Sequence, residues 1–162
     1  MADYAPAKAS SSIPSPYRVV LTTLEPLIAL GGVLQALTTP EVYLQTMTRS
    51  RIPYDPATHF LYTELAGSWL FFVFLVVFAL RHFDDLRVWR WVCVAVLLQD
   101  VFFVWSVAEA VGGWDVWVDV AGWEVSDWLV FWTTLPGFLV RILIVLGIGV
   151  KDERGNVRGK RK

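Results

Sequence analysis

Side chains that commonly hold metal ions or form disulfides are scarce in this sequence. Its 162 residues include one cysteine, Cys93, and two histidines, His59 and His82. One cysteine cannot form an intramolecular disulfide, and two separate histidines do not make a His-rich metal centre. The sequence also lacks a glycine-rich phosphate loop, a nucleophile elbow and an HExxH zinc helix. We therefore expect neither a metal ion nor another cofactor.

Charged residues are also few. They make up 18% of the chain, against 56% hydrophobic residues, and the mean hydropathy is +0.51. A soluble domain of this size could not cover so much apolar surface, so the composition predicts a membrane protein. The formal net charge of −1 gives no indication of a nucleic-acid partner, and we expect none.

Four segments are long and apolar enough to cross a bilayer, which takes about 20 helical residues. They are residues 17–37, 58–80, 88–111 and 127–150. The predicted fold class is all-α, a polytopic membrane protein with a four-transmembrane-helix bundle over residues 17–150. Residues 1–16 have no apolar signal-peptide core and are predicted to be a disordered cytosolic leader. Residues 151–162 are predicted to be a basic cytosolic tail.

Lysine and arginine are distributed unequally between the two sides of these spans. Eleven lie before or at the start of the first span, between the end of the second and the start of the third, or after the fourth, whereas only Arg49 and Arg51 lie on the other side. Because cytosolic loops of membrane proteins are enriched in basic residues, both chain ends are predicted to be cytosolic. The last five residues, 158–162, approximate a dibasic retrieval signal, so we expect residence in the endoplasmic reticulum.

The third loop is rich in tryptophan and acids. Trp114, Trp117, Trp123 and Trp128 lie among Asp and Glu residues there. Tryptophan prefers the headgroup level of a membrane, which predicts an interfacial belt or a short lid. A gate over a pocket that opens towards the lumen is the alternative.

Four ionisable residues lie deep within the predicted spans, namely Glu25, Glu64, Asp100 and Arg141. At about 1.5 Å of rise per residue, Glu25 and Arg141 lie about 12 and 13 Å from the cytosolic edge. Asp100 lies at about 18 Å and Glu64 at about 24 Å. An unpaired charge at such depth costs at least about 2.5–3.5 kcal/mol, so we expect the four to form a column inside the bundle.

Three acids and one base cannot all pair one to one. Arg141 can hold one or two carboxylates, and a remaining acid should stay protonated because burial disfavours its charged form. A protonated acid beside an ionised one is a general acid beside a general base, which predicts that these four residues are catalytic. The structural alternative is that Glu25 and Arg141 form a salt bridge between the first and fourth helices, and that Glu64 and Asp100 only form hydrogen bonds.

Three segments carry a resemblance to known proteins, namely PYRVVLTTLEPLIALGG, LRVWRWVCVAVLLQDVFFVWSV and LVRILIVLGIGV. They resemble a family of small four-helix fungal membrane proteins over roughly residues 16–150. The most specific marks are Glu25-Pro26, Asp84 with Arg87, Trp89 and Arg90, then Asp100, and Arg141. The layout is loosely similar to the EXPERA superfamily of sterol isomerases and sigma-2-type receptors. The histidine-and-acid set of the sterol isomerases is not reproduced here.

The chain also resembles the membrane hydrolases that open polyene epoxides in citreoviridin- and aurovertin-type polyketide pathways. This resemblance implies a lipophilic substrate, a role in fungal secondary metabolism and co-localised biosynthetic enzymes. A carboxylate–Arg–carboxylate set resembling that of limonene-type epoxide hydrolases would suffice, with Asp100 or Glu64 as base and the other as acid. Arg141 would hold the pKa values of these two acids apart. A terpenoid cyclase or double-bond isomerase, and a non-catalytic ligand-binding or scaffolding membrane protein, stay open as alternatives.

Overall fold

The computed structural model describes residues 7–151, and across that range it contains seven α-helices and no β-strand. The helices are α1 (Ala9–Ser12), α2 (Ser15–Thr38), α3 (Pro40–Thr48), α4 (Pro56–His82), α5 (Leu86–Ala110), α6 (Trp114–Val118) and α7 (Val125–Leu146). The helices α2, α4, α5 and α7 are long and apolar enough to cross a membrane. The predicted all-α fold with four membrane-spanning helices is confirmed.

The end of α7 differs most from its predicted position. The helix stops at Leu146, not at residue 150, because Gly147 adopts a left-handed conformation with φ of 75°. The N–H of Ile148 then donates to the carbonyl of Leu143 at 2.8 Å, which closes the helix with a glycine cap. Gly147 thus ends the helix. From the sequence alone, a glycine in this apolar run could equally lie inside the helix and allow a neighbouring helix to pack closely.

The helix α2 contains a π-helical turn, Val20–Leu24, directly before Glu25 and Pro26. At its end the N–H of Glu25 donates to the carbonyl of Val20, five residues earlier. Proline has no N–H to offer the carbonyl of Thr22 four residues before it. That carbonyl accepts a hydrogen bond from Nη2 of Arg81 on α4 at 2.7 Å instead. A wide turn and a side chain from a neighbouring helix thus accommodate a proline inside a membrane span.

Both ends of the described chain meet at one face of the bundle. The backbone N–H and hydroxyl of Ser10 donate to the carboxylate of Asp84, at 2.6 and 2.7 Å. The N–H of Lys151 donates to the carbonyl of Ser12 at 2.9 Å. We call this face, formed by residues 7–14, the α4–α5 turn and Lys151, the terminal face. The contacts place the first and last described residues on the same side of the bundle.

The predicted disordered leader is wrong for the part of it that the structure describes. Ala9 is 0% and Ile13 2% exposed, because both pack into the core formed by α4 and α5. Residues 15 and 16 already belong to α2. Residues 1–6 of the leader, and the basic tail apart from Lys151, lie outside the described residues.

The opposite face of the bundle is closed by α3, which lies against α5 and α7. The chain leaves α3 through Arg49 and Ser50, both in the left-handed region with φ of 52° and 57°. This bend brings Nε of Arg49 to the carboxylate of Asp127 at the start of α7, at 2.9 Å. The two side chains are 4% and 2% exposed. Asp127 also accepts from the backbone N–H of Glu124, so one carboxylate joins α3 to the capped start of α7.

Replacing Arg49 with alanine should destabilise the protein by about 3–5 kcal/mol, because it leaves the carboxylate of Asp127 buried and unpaired. The free energy of unfolding, from a titration of folded protein in mixed micelles with a denaturing detergent, measures the effect. Asp119→Asn is the matched control, since Asp119 is exposed on the same face. Equal stability of the Arg49→Ala and Asp119→Asn proteins would show that this ion pair does not hold α3 in place.

Candidate functional site

One guanidinium group in the middle of the bundle holds two carboxylates. Arg141 on α7 is 2% exposed. Its Nη1 donates to Oδ2 of Asp100 on α5 at 2.6 Å, and its Nη2 donates to Oε1 of Glu25 on α2. Three helices are therefore joined by one charged cluster, which we call the Glu25–Arg141–Asp100 triad. The structure brings these three side chains together, as predicted from the sequence.

Neighbouring residues position the triad. Glu25 directly follows the π-helical turn of α2. Gly137, about one turn before Arg141, lies so close to Glu25 that a Cβ atom there would overlap its carboxyl group. The ring of Phe72 on α4 lies 5.7 Å from Cζ of Arg141, within the range of a cation–π contact. The glycine makes room for the carboxyl group, and the aromatic ring covers the guanidinium.

A cavity of about 240 Å³ opens beside the triad, and all three side chains line it. The helix α2 contributes one face, Glu25, Ile28, Ala29, Gly32 and Gln35, at the three- and four-residue spacing of neighbours on a helix. From the first to the last of these the wall is about 15 Å long. Aromatic and aliphatic side chains form much of the remainder, among them Trp69, Phe72, Phe103 and Val130. An elongated apolar space thus carries its charges at one end.

The charges of the triad do not balance if both acids are ionised, since one cation then faces two anions. A net negative charge in a dry, apolar site is costly, whereas one shared proton makes the triad neutral. Oδ2 of Asp100 and Oε1 of Glu25 accept from Arg141. The other carboxyl oxygen of Glu25, Oε2, is buried and has no hydrogen-bond partner among the described residues. A protonated Oε2 would donate into the site instead of leaving an acceptor unsatisfied.

The prediction that Glu64 joins this cluster is wrong. Its side chain is exposed, and it does not line the cavity. The inward side of α4 is marked by Ala66, which is 1% exposed. Two residues along a helix turn the side chain by about 200°, so Glu64 lies on the outer side of α4. The expected column of four residues is a triad, and Glu64 stays outside it.

The cover of the cavity is α3, which lies between the first two predicted spans. Tyr43, Thr46 and Met47 of α3 line the cavity, whereas none of the four tryptophans of the third loop does. The start signal of α3, Thr39-Pro40-Glu41, was available in the sequence. Trp117 and Trp123 stack on each other with ring centroids 4.8 Å apart. The tryptophan loop therefore forms its own aromatic cluster and is not the gate of this cavity.

Several uncharged polar side chains that were not predicted as site residues also line the cavity. Gln35, Gln99, Thr133 and Thr134 line it at different heights. Burial raises the pKa of Tyr43, in α3, to about 12. Its phenol therefore stays protonated and can donate a hydrogen bond to a ligand oxygen. These groups offer polar contacts in a cavity that is otherwise apolar.

Metal ligation can be assessed for the described part of the chain. Within residues 7–151, no group of three or more His, Cys, Asp or Glu side chains could hold a metal ion. The triad offers two carboxylates only, and both bind the guanidinium of Arg141. The two carboxyl groups of the triad are thus paired through one guanidinium group of the protein itself.

Comparison with known proteins assigns the chain to a family. Residues 10–151 match the family model described as "Domain of unknown function (DUF7704)", and the chain belongs to this family. The matched range contains the whole triad and all four long helices. No curated protein and no solved structure matches the chain significantly.

Gly137→Ala should destabilise the protein by about 1–3 kcal/mol, because the added methyl group displaces the carboxyl group of Glu25 from Arg141. Gly31→Ala is the matched control, since a Cβ atom there meets nothing within 4 Å. That change should be neutral or stabilise the helix by about 0.5–1 kcal/mol. Unfolding of both variants in mixed micelles provides the measurement.

A double-mutant cycle separates the contact with Glu25 from general crowding. In a Glu25→Ala background the methyl group at position 137 has no carboxyl group to displace, so its penalty should disappear. An unchanged penalty in that background would contradict the role of Gly137 in positioning Glu25.

Proposed function

We propose that this protein is a membrane-embedded enzyme that performs acid–base chemistry on a lipophilic substrate at the Glu25–Arg141–Asp100 triad. The observation that carries the proposal is one guanidinium holding two carboxyl groups in the wall of an apolar cavity. Ionisable residues inside a membrane are costly, and they usually face a functional cavity. The most specific form of the proposal is epoxide opening, by hydrolysis or by cyclisation, in fungal secondary metabolism.

The roles of the two acids follow from their surroundings. One oxygen of Glu25 is buried and has no hydrogen-bond partner within the described range, so we assign Glu25 the shared proton and the role of general acid. Asp100, held by Arg141 through Oδ2, is assigned the role of general base. Arg141 stays charged throughout and orients both carboxyl groups. A protonated acid next to an ionised one, kept different by their environment, is the arrangement that acid–base catalysis requires.

Hydrolysis of an epoxide by this pair proceeds as follows. Asp100 takes a proton from a water molecule, whose oxygen forms a bond to one epoxide carbon. The bond between that carbon and the epoxide oxygen breaks, and the oxygen takes the proton of Glu25. The product is a vicinal diol, with Asp100 now protonated and Glu25 ionised. A proton returns from Asp100 to Glu25 through water before the next turnover.

Related reactions use the same two groups. If a hydroxyl group of the substrate replaces water, the product is a cyclic ether. A terpenoid cyclase or double-bond isomerase would use the acid and the base without water as a reactant. The rival of another class is a non-catalytic protein that binds a lipophilic ligand or a partner enzyme, in which the triad only joins three helices.

The cellular location is part of the proposal. We infer that the terminal face is cytosolic, because eleven of the 14 lysines and arginines of the chain belong to its side. The basic residues 158–162 support residence in the endoplasmic reticulum. Imaging of the intact chain, compared with a chain lacking these five residues, tests the compartment. Plasma-membrane residence that the deletion does not change would contradict it.

Asp100→Asn and Glu25→Gln should each lower turnover by a factor of about 10²–10⁴, the usual contribution of general acid–base catalysis. The measurement is diol formation from a lipophilic polyene epoxide by the full chain in detergent or bilayer. Glu64→Gln is the matched control: it also removes an acid from a membrane span, but outside the cavity, and should leave turnover unchanged. Arg141→Leu should lose folded protein as well, by about 3–5 kcal/mol, because it strands buried acids.

Isotope-labelled water distinguishes the reaction types, since its oxygen enters the product only in hydrolysis. Full activity of the Glu25→Gln, Asp100→Asn double variant would contradict acid–base catalysis. Ligand binding by that same variant, without turnover in the wild type, would favour the binding protein.

The orientation of the chain predicts its sensitivity to protease in sealed microsomes. A tag on the C-terminus should be cleaved from outside, because that end is cytosolic. A tag inserted near Tyr54, between α3 and α4, should be protected until detergent opens the membrane. The reverse pattern would overturn the orientation.

A further inference from the structure

The terminal face contains a second cavity, separate from the one beside the triad. Its volume is about 370 Å³. Its lining comes from the N-terminal segment, the first turns of α2, the end of α4 and the start of α5, namely Ser10, Arg18, Thr22, Leu80, Arg81, Asp84 and Trp89. None of these residues lines the first cavity. The two cavities are therefore separate sites on the described chain.

The charges around this cavity leave an excess of one cation. Arg18 and Arg81 contribute two guanidinium groups and Asp84 one carboxylate. Both oxygens of that carboxylate already accept from Ser10, and the hydroxyl of Ser10 is the largest cause that holds the pKa of Asp84 below its usual value. Within residues 7–151, neither arginine forms an ion pair with an acid. Of the two guanidinium groups at this cavity, one is thus left without a matching carboxylate among the described residues.

Arg18 has a hydrogen-bond donor that finds no acceptor within the described range. Its Nε is buried and has no hydrogen-bond partner among the described residues. Arg81 donates from Nη2 to the carbonyl and hydroxyl oxygens of Thr22 and Thr23, at 2.7 and 3.3 Å. That anchor fixes Arg81 at the cavity and leaves its other nitrogens available. A buried donor without an acceptor costs about 1–3 kcal/mol, so a ligand that accepts from Arg18 would be favoured.

The height of the two arginines in the membrane indicates the kind of anion. Arg18 is the fourth residue of α2, and Arg81 is the last but one of α4. Both therefore lie at the end of a membrane span, where lipid headgroups are found. Leu80 and Trp89, which are 4% and 3% exposed, supply an apolar wall next to them. A phosphate oxygen pair matches the planar fork of a guanidinium group.

We propose that this cavity binds the phosphate group of a membrane phospholipid with a net negative headgroup, through Arg18 and Arg81. The surplus positive charge disfavours a headgroup that carries its own cation. The bound lipid accepts a hydrogen bond from Nε of Arg18, which has no partner within residues 7–151, and it ties the N-terminal segment to the ends of α2 and α4.

The test is native mass spectrometry of the full chain, released from detergent with added phosphatidic acid or phosphatidylcholine. The wild type should retain one phosphatidic acid at lipid concentrations that leave phosphatidylcholine unbound. Arg18→Gln and Arg81→Gln should each weaken phosphatidic acid binding about 10- to 100-fold, the equivalent of a lost charged hydrogen bond. Arg18→Lys keeps the positive charge but not the planar guanidinium group, so its affinity for phosphatidic acid should fall less than that of Arg18→Gln.

Arg87→Gln is the matched control. Arg87 is exposed on the same face and lines neither cavity, yet its loss removes the same charge. This variant should bind phosphatidic acid as the wild type does. An equal loss in Arg87→Gln and Arg18→Gln would reduce the effect to general surface attraction and overturn the proposal, as would the absence of retained lipid. If Arg18→Gln does not fold, Arg81→Gln carries the comparison, because Arg81 is exposed.

Glycerol 3-phosphate separates the two sources of a phosphate group. If it displaces phosphatidic acid only at much higher concentration, the site takes a lipid, as proposed. If it competes at the same concentration, the arginines bind a phosphate group, but the proposal that this group belongs to a lipid is wrong.

Discussion

The ion pairs of Arg141 are the interaction on which the rest of this structure depends. A guanidinium group between α2, α5 and α7 needs an anion, and the two acids that reach it come from the other two helices. Their registers are thereby fixed relative to one another, since a shift of one helix by a single residue would move a carboxyl group by about 1.5 Å. The π-helical turn before Glu25 and the missing side chain at Gly137 both serve this arrangement. The same three helices also line the cavity, and all three side chains of the triad face it.

The two ends of the bundle are built differently around this centre. At one end α3 covers the cavity and is held by the buried pair of Arg49 and Asp127. At the other end the N-terminal segment folds over the α4–α5 turn through hydrogen bonds between Ser10 and Asp84. The first contact is a buried ion pair, whereas the second combines exposed hydrogen bonds with the buried side chains of Ala9 and Ile13. Residues of α3 line the cavity beside the triad, whereas the second cavity lies at the terminal face and shares no lining residue with the first.

The fold was largely predictable, but the site was predictable only in part. Length and hydropathy identify four spans because about 20 apolar residues are needed to cross a bilayer, whatever their packing. The depth calculated from the rise per residue correctly predicted that Glu25 and Arg141 lie at the same height in the bundle, with Asp100 close to them. Height does not determine direction around the helix, and for that reason Glu64 was placed in the site although it lies on the outer side of α4. Likewise α3 was missed as a cover, since a short helix between spans has no long apolar run. The short helix of the N-terminal segment depends on contacts with Asp84, far away in the sequence.

The central claim is that Glu25 and Asp100 share one proton beside Arg141. Infrared difference spectroscopy of the full chain in a bilayer at neutral pH, with exchange into heavy water, detects the carbonyl stretch of a protonated carboxyl group. The account predicts that the wild type shows such a band, and that Glu25→Gln and Asp100→Asn each remove it, because the remaining acid ionises against Arg141. Asp127→Asn should leave the band unchanged, since Asp127 pairs one to one with Arg49. If neither triad substitution removes a carboxylic-acid band, both acids are ionised in the wild type, and the triad is a salt bridge without an acid to donate.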